Sequence, residues 1–90
     1  MTIEIQTRII NRLGLHARAA TQLVNCASGF QANVWLKLGD KKVNGKSIMG
    51  VLTLAATQGT DIIVLAEGKD ARQAADAVVQ LVQNRFNEDE

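Results

Sequence analysis

The stretch TIEIQTRIINRLGLHARAATQLVNCASG, residues 2–29, decides the class of fold because its hydrophobic period changes once along its length. Up to residue 9, apolar and polar side chains alternate, which indicates a strand with one buried face. Asn11-Arg12-Leu13-Gly14 interrupts the alternation, and from Ala17 apolar residues recur at helical spacing until Gly29. We therefore predict a strand followed by a helix that begins at or beside His16.

Five more elements are predicted from the rest of the chain. They are strands over residues 32–38 and 41–43, a short helix over 48–54, a strand over 62–67 and an amphipathic helix from Ala71 to Phe86. The connections are too short for long parallel crossovers. The order therefore predicts an α+β domain in which helices cover one face of an antiparallel sheet. We expect residues 87–90 to form a frayed acidic tail.

Composition limits what the chain can do. Ninety residues, 47% of them hydrophobic, predict one domain over residues 1–90 that is too small to enclose a substrate cavity. A net charge of +1 disfavours binding to nucleic acid or acidic membranes. The single cysteine cannot form an internal disulfide, no secretory leader is visible, and no apolar run approaches the roughly 20 residues that span a bilayer. We expect a cytoplasmic monomer without membrane insertion.

His16 is the single histidine, which excludes a multi-histidine metal site, and we expect neither a metal nor a cofactor. A lone histidine most often has a surface or capping role. At the start of a helix, however, it lies beside backbone amides that have no intrahelical acceptor and that favour a bound anion. A neutral imidazole nitrogen can also attack phosphorus. The position of His16 therefore favours a phosphoryl acceptor.

Arg18 lies within the first turn of the same predicted helix. A cation is unfavourable there because the helix dipole places partial positive charge at the N-terminus. A solvated surface arginine is one interpretation, and a guanidinium that holds phosphate oxygens is the other. Gly14, beside these residues, is either a plain turn residue or a position where the backbone approaches the phosphate closely.

Ser47 is predicted to be the N-cap of the short helix. Capping is compatible with regulation, because a phosphate on Ser47 would add about two negative charges at a helix N-terminus and repel an acidic partner. The apolar side chains of Ile48, Met49 and Leu52 surround this helix. A helix of about two turns cannot bury every side, so part of this cluster is a candidate docking patch.

Two segments together resemble a known family. Leu13-Gly14-Leu15-His16-Ala17-Arg18 and Asn44-Gly45-Lys46-Ser47-Ile48-Met49-Gly50 are similar to the active-site and regulatory-serine motifs of the HPr family. Its members are histidine-containing phosphocarriers of the bacterial phosphoenolpyruvate-dependent sugar phosphotransferase system. The resemblance continues through residues 57–60 and 66–68 into the last helix, so it covers nearly the whole chain.

The resemblance implies an open-faced β-sandwich of four antiparallel strands and three helices. It implies that Enzyme I passes a phosphoryl group to Nδ1 of His16, with Ala17 and Arg18 around the phosphate, and that His16 passes it to an EIIA domain. The chain would then be a carrier with a covalent phosphohistidine rather than a self-contained enzyme. Ser47 resembles the site of the HPr kinase/phosphorylase found in some bacteria. Partner docking would use Ala17, Ala20, Ile48, Met49 and Leu52.

One departure from the family is Ala19, where members usually carry proline. Proline in a first turn fixes φ without losing a helical hydrogen bond, whereas alanine is the best helix former. We expect the helix to survive and the transfer rate to change modestly.

Two other function classes compete with the phosphocarrier. In a regulatory binding module without sugar transport, Ser47 or the apolar surface would matter and His16 would not turn over. A small nucleic-acid-binding domain is disfavoured by the near-neutral charge and by the presence of only one tryptophan, two phenylalanines and no tyrosine. Within the phosphocarrier class, sugar uptake and a nitrogen-type regulatory branch use the same surface and chemistry, so both stay open.

Overall fold

The computed structural model describes residues 1–90 and contains one four-stranded antiparallel sheet and three α-helices. The strands are β1 (Thr2–Arg8), β2 (Asn33–Leu38), β3 (Lys41–Asn44) and β4 (Asp61–Glu67), and the helices are α1 (Ala17–Ser28), α2 (Ile48–Thr53) and α3 (Ala71–Gln83). The α+β class and the element order are confirmed. Apart from the end of α3, the predicted boundaries lie within about one residue of the observed ones. None of the helices has the length and apolar content needed to span a bilayer.

Strand β4 lies inside the sheet, whose order is β1-β4-β2-β3. Val64 of β4 pairs with Ile5 of β1 on one side and with Leu36 of β2 on the other. Directly paired residues point to the same face, so the three strands build one apolar surface. The opposite face is more open. There Trp35 is half-buried, and the Lys42 ammonium lies 4.7 Å from the centre of its indole ring.

Helices α1 and α3 close the core over the apolar face of the sheet. Helix α3 packs against β1 and β4, while α1 packs against α2 and α3. The buried faces of both helices are rich in alanine, which lets their backbones approach neighbouring elements closely. The buried residues are Ala19, Ala20, Leu23, Val24 and Ala27 in α1, and Ala71, Ala74, Ala75, Val78 and Val82 in α3.

The prediction that α3 continues to Phe86 is wrong. The helix ends at Gln83, and a short 3₁₀ turn, Arg85–Asn87, follows in which all three residues have positive φ, between 53° and 63°. Phe86 is nevertheless fully buried. Its side chain fills the core position that the helical spacing indicated, although the backbone has already reversed.

The prediction of a frayed tail is also wrong. We use "C-terminal tail" for residues 87–90, which fold back over the loop between β1 and α1. The backbone N–H of Arg12 donates to the backbone oxygen of Glu90, and Arg12 Nε lies 2.8 Å from Glu90 Oε2. Asn87 Nδ2 donates to Gln22 Oε1 at 2.9 Å. These bonds compensate for the conformational entropy that an ordered terminus loses.

Gly14 is required by a close contact between two backbone segments. Its φ is +67°, and a Cβ at this position would lie 2.5 Å from the carbonyl oxygen of Ala56 and 3.0 Å from Thr57 Cα. The next residue, Leu15, donates its N–H to that same oxygen at 2.9 Å. The backbone that lies close to Gly14 is therefore that of residues 56 and 57, in the segment before β4.

We predict that Gly14→Ala lowers the free energy of unfolding by about 2–4 kcal/mol, because it combines a left-handed backbone with an overpacked contact. Urea denaturation followed by circular dichroism measures the change. Gly39→Ala is the matched control, since Gly39 has φ +59° but no atom near its missing Cβ. We expect a loss of about 1 kcal/mol there, and equal losses in the two variants would contradict the steric argument.

Candidate functional site

His16 is the N-cap of α1. Its backbone is extended, with φ −78° and ψ 178°, and its carbonyl accepts the first helical hydrogen bond from Ala20 N at 2.8 Å. The side chain makes no capping bond. The first three amides of α1, those of Ala17, Arg18 and Ala19, consequently have no intrahelical acceptor. The predicted helix start at His16 is confirmed, and it places unpaired N–H groups beside the imidazole.

The backbone on the N-terminal side of His16 is held from two directions. Leu15 is buried, and its N–H donates to Ala56 as described above. Asn11 is fully buried, and its Nδ2 donates to the carbonyl of Gly14 at 2.9 Å. Together these contacts determine where the chain turns from the loop into α1, and therefore where the His16 ring projects.

The His16 ring contacts the C-terminal tail through one nitrogen only. Nε2 lies 2.5 Å from Oε2 of Glu88, and the other oxygen of that carboxyl accepts from Asn11 Nδ2 at 3.0 Å. Nδ1 has no hydrogen-bond partner and is not fully buried. The side chains of His16 and Glu88 are 28% and 11% exposed, respectively.

The charge state of Glu88 follows from these contacts. Burial by itself would raise the pKa of the carboxyl. The hydrogen bonds from His16 and Asn11, with the positive charges of His16 and Arg18, outweigh burial and hold the pKa below its ordinary value of 4.5. At neutral pH, Glu88 is therefore an ionised carboxylate that only accepts hydrogen bonds.

Arg18 is exposed and makes no ion pair within 4.0 Å, so its guanidinium is free to bind an anion. It lines a cleft of about 290 Å³ together with Arg12, Leu13 and the C-terminal tail. The cleft therefore holds two arginines and the three side-chain carboxylates of the C-terminal tail.

Ser47 is the N-cap of α2, as predicted, and its Oγ accepts from Gly50 N at 3.0 Å. Beside it, Ile48 and Met49 are 39% and 73% exposed, and Leu52 is half-buried. Since α2 packs against α1, this apolar patch lies on a helix adjoining the one that carries His16.

Two residues of α1 differ in their availability to a partner. Ala17 is exposed, whereas Ala20 is fully buried in the core. The expectation that Ala20 contacts partners is therefore wrong. Its place in the apolar stripe of α1 is a core position, because residues three and four apart from Leu23 and Val24 face the same way. Ala19 is also fully buried, and α1 begins normally without a proline.

Sequence reasoning missed Asn11 and Glu88. They are five and seventy-two residues from His16, and no spacing rule joins them. The one available signal was Phe86, whose apolar side chain extends the stripe of α3 and anchors the chain just before the tail. An anchor at that point leaves the next residues too close to the core surface to fray freely.

Comparisons with known proteins agree on one family. Residues 3–84 match the family described as the PTS HPr component phosphorylation site. The phosphocarrier protein HPr of Xylella fastidiosa is 49% identical over 87 residues, which cover 97% of this chain and 98% of the relative. The phosphocarrier protein NPr of Shewanella violacea is 44% identical over 86 residues, which cover 96% of this chain and 94% of the relative. A crystal structure of HPr from Thermoanaerobacter tengcongensis superposes with a TM-score of 0.94 at 41% identity, covering 98% of this chain and 99% of the other.

The lowered pKa of Glu88 predicts a pH-dependent contribution to stability. Because the pKa is lower in the folded state, the contribution is present above the ordinary value of 4.5 and is lost as the pH falls through the folded value. Urea denaturation from about pH 3 to about pH 7 should therefore show wild type more stable than Glu88→Gln at the upper end, with the difference vanishing at the lower end. Asp89→Asn removes the same charge from an exposed side chain as a control. A difference independent of pH would contradict binding of the ionised carboxylate.

Proposed function

Because the chain belongs to the HPr family of phosphocarrier proteins of the phosphotransferase system, we propose that His16 is the residue that carries the phosphoryl group. Phospho-Enzyme I is the proposed donor and an EIIA domain the proposed acceptor. The exchange takes place in the cytoplasm, the compartment that holds phosphoenolpyruvate. The observation that carries the proposal is the unpaired Nδ1 of His16, the N-cap residue of α1, whose first three backbone amides have no helical acceptor.

The chemical step needs little from this chain beyond geometry. The electron pair of Nδ1 forms a bond to phosphorus, while the bond between phosphorus and the donor breaks and its electron pair returns to the donor. The transferred group then lies at the N-terminus of α1, where the amides of Ala17 and Arg18 and the helix dipole stabilise its negative charge. Donation to the next protein reverses the same step with a new acceptor.

Arg18 is proposed to hold the phosphate oxygens. Its guanidinium has no ion-pair partner, and a planar fork with a permanent charge matches a phosphoryl group. An exposed arginine can also follow the group as it passes between partners. In this role Arg18 stabilises charge, and the nucleophile is His16 alone.

The proposed docking surface consists of Ala17 on α1 and Ile48, Met49 and Leu52 on α2. Met49, at 73%, is more exposed than Ile48 and Leu52, and methionine adapts its shape to different partners. A carrier that binds a donor and an acceptor in turn needs one surface that suits both. Leu13, in the loop before His16, is a further exposed apolar side chain, at 61% exposure.

A second candidate function is phosphoryl transfer in a nitrogen-type regulatory branch rather than in sugar uptake. The match to an NPr from Shewanella violacea favours it, while the match to an HPr from Xylella fastidiosa favours sugar transport. Both use the same chemistry at His16. Rates of phosphoryl transfer to a sugar-type and a nitrogen-type EIIA domain, compared at equal concentrations, separate the two.

Incubation with phosphoenolpyruvate and Enzyme I should give wild type an acid-labile, base-stable phosphate, the behaviour of phosphohistidine. We predict that His16→Ala abolishes this label and that Arg18→Gln slows its formation about tenfold, which is the effect of one lost charge-assisted hydrogen bond. Arg12→Gln is the matched control, because Arg12 is an exposed arginine that lines the same cleft but pairs with Glu90. Labelling of His16→Ala would refute the proposal.

Ser47 is proposed as a regulatory phosphorylation site, with an HPr kinase/phosphorylase as the enzyme that modifies it. Its hydroxyl is half-buried at the start of α2 and lies next to the exposed Ile48 and Met49. A phosphate on this hydroxyl would place about two negative charges at the edge of the docking patch. It would therefore weaken binding of a partner with an acidic surface without touching His16.

We predict that Ser47→Asp lowers kcat/KM for phosphorylation by Enzyme I about tenfold or more, because like charges in an interface are costly. Stability should be retained, since aspartate is a good N-cap. Ser47→Ala removes the cap without adding charge. It should lower the free energy of unfolding by about 1 kcal/mol while leaving the transfer rate near wild type. Equal rates for the aspartate and alanine variants would contradict a charge effect.

A further inference from the structure

The contact between Glu88 and His16 is held in place by further hydrogen bonds. Both carboxylate oxygens of Glu88 are engaged, one by His16 Nε2 at 2.5 Å and one by Asn11 Nδ2 at 3.0 Å. Asn11 is itself fully buried and bonded to the carbonyl of Gly14. A relay therefore runs from the loop backbone through Asn11 and Glu88 to the imidazole, and it leaves the carboxylate little freedom to move.

The local backbone supports the same interpretation. Arg85, Phe86 and Asn87 have φ of 57°, 53° and 63°, a left-handed conformation that residues with a side chain adopt at an energetic cost. Burial of Phe86 and the bond from Asn87 to Gln22 offset this cost. The strained turn sends the C-terminal tail across the β1–α1 loop, and strain of this kind is typical of functional sites.

The carboxylate determines which ring nitrogen holds the proton. A neutral imidazole has one N–H donor and one acceptor nitrogen, and the ionised carboxylate of Glu88 can only accept. Nε2 must then carry the hydrogen, and Nδ1 carries the free electron pair. We propose that Glu88 is a positioning residue for phosphoryl transfer, which holds His16 in the tautomer whose nucleophilic nitrogen is Nδ1. This inference rests on the proposed role of His16 as phosphoryl acceptor.

Glu88 also stabilises the product of the step. When Nδ1 bonds to phosphorus and the bond to the donor breaks, Nε2 keeps its hydrogen and the ring gains positive charge. The carboxylate already lies at hydrogen-bond distance from that N–H, so no group has to move to balance the new charge. On donation, the P–Nδ1 bond breaks, its electron pair returns to the ring, and the original hydrogen bond remains.

The first test measures the tautomer directly. The ¹⁵N chemical shifts of the two ring nitrogens, recorded at a pH where the ring is neutral, distinguish N–H from bare nitrogen. We expect Nε2–H to dominate in wild type and in Asp89→Asn, whose exposed side chain forms neither a hydrogen bond nor an ion pair. In Glu88→Gln the Nδ1–H form should increase, because a neutral amide can donate as well as accept. Glu88→Asp keeps the charge and should partly restore the wild-type pattern.

The second test measures transfer from phospho-Enzyme I. For Glu88→Gln we expect kcat to fall about tenfold with KM little changed, because a charge-assisted hydrogen bond acts on the ring rather than on docking. Asp89→Asn should keep the wild-type kcat. An unchanged tautomer in Glu88→Gln, or an unchanged kcat, would overturn the proposal. A faster Glu88→Gln would also overturn it, since the tail would then be an obstruction. The NMR measurement does not require phosphoryl transfer, whereas failure of the proposed function would appear as labelling of His16→Ala.

Discussion

The hydrogen bond from Leu15 N–H to the Ala56 carbonyl is the constraint on which the site depends. It ties the β1–α1 loop to the segment before β4, one of the two inner strands of the sheet. Only glycine fits at position 14 because the two backbones approach so closely there. Leu15 is buried, and the next residue, His16, is partly exposed and is the N-cap of α1. The position of His16 thus depends on the packing of the preceding residues, Gly14 and Leu15, against the segment at Ala56.

A small domain cannot enclose its chemistry, and this structure shows how a surface site is still organised. One nitrogen of the imidazole is bound to the C-terminal tail, and the other makes no hydrogen bond. The bound nitrogen contacts the carboxylate of Glu88, and the ring belongs to the N-cap residue of α1, at the positive end of that helix. These two environments divide the ring into a side that is held and a side that is available. In the proposed transfer, the rest of the reaction environment, including the exclusion of water, is the contribution of the partner protein.

The fold was largely predictable because each element carries its own periodicity. Alternation in β1 and helical spacing in α1 and α3 need only local sequence to be recognised, and side-chain burial follows the same periods. Ala20 shows where this reasoning failed for the site. The family resemblance implied that it contacts partners, but its place in the apolar stripe of α1 makes it a core residue. Periodicity therefore predicted burial better than it predicted function.

By itself, the sequence determined the strand and helix order, the helix start at His16 and the capping role of Ser47, because these depend on residues within a few positions of one another. Only the tertiary structure decided that the tail is ordered and that Asn11 and Glu88 reach the histidine. Those contacts join segments more than seventy residues apart, and they exist because a left-handed turn after α3 reverses the chain. No local pattern encodes that reversal, since its energetic cost is offset by burial of Phe86 in a core that the whole chain builds.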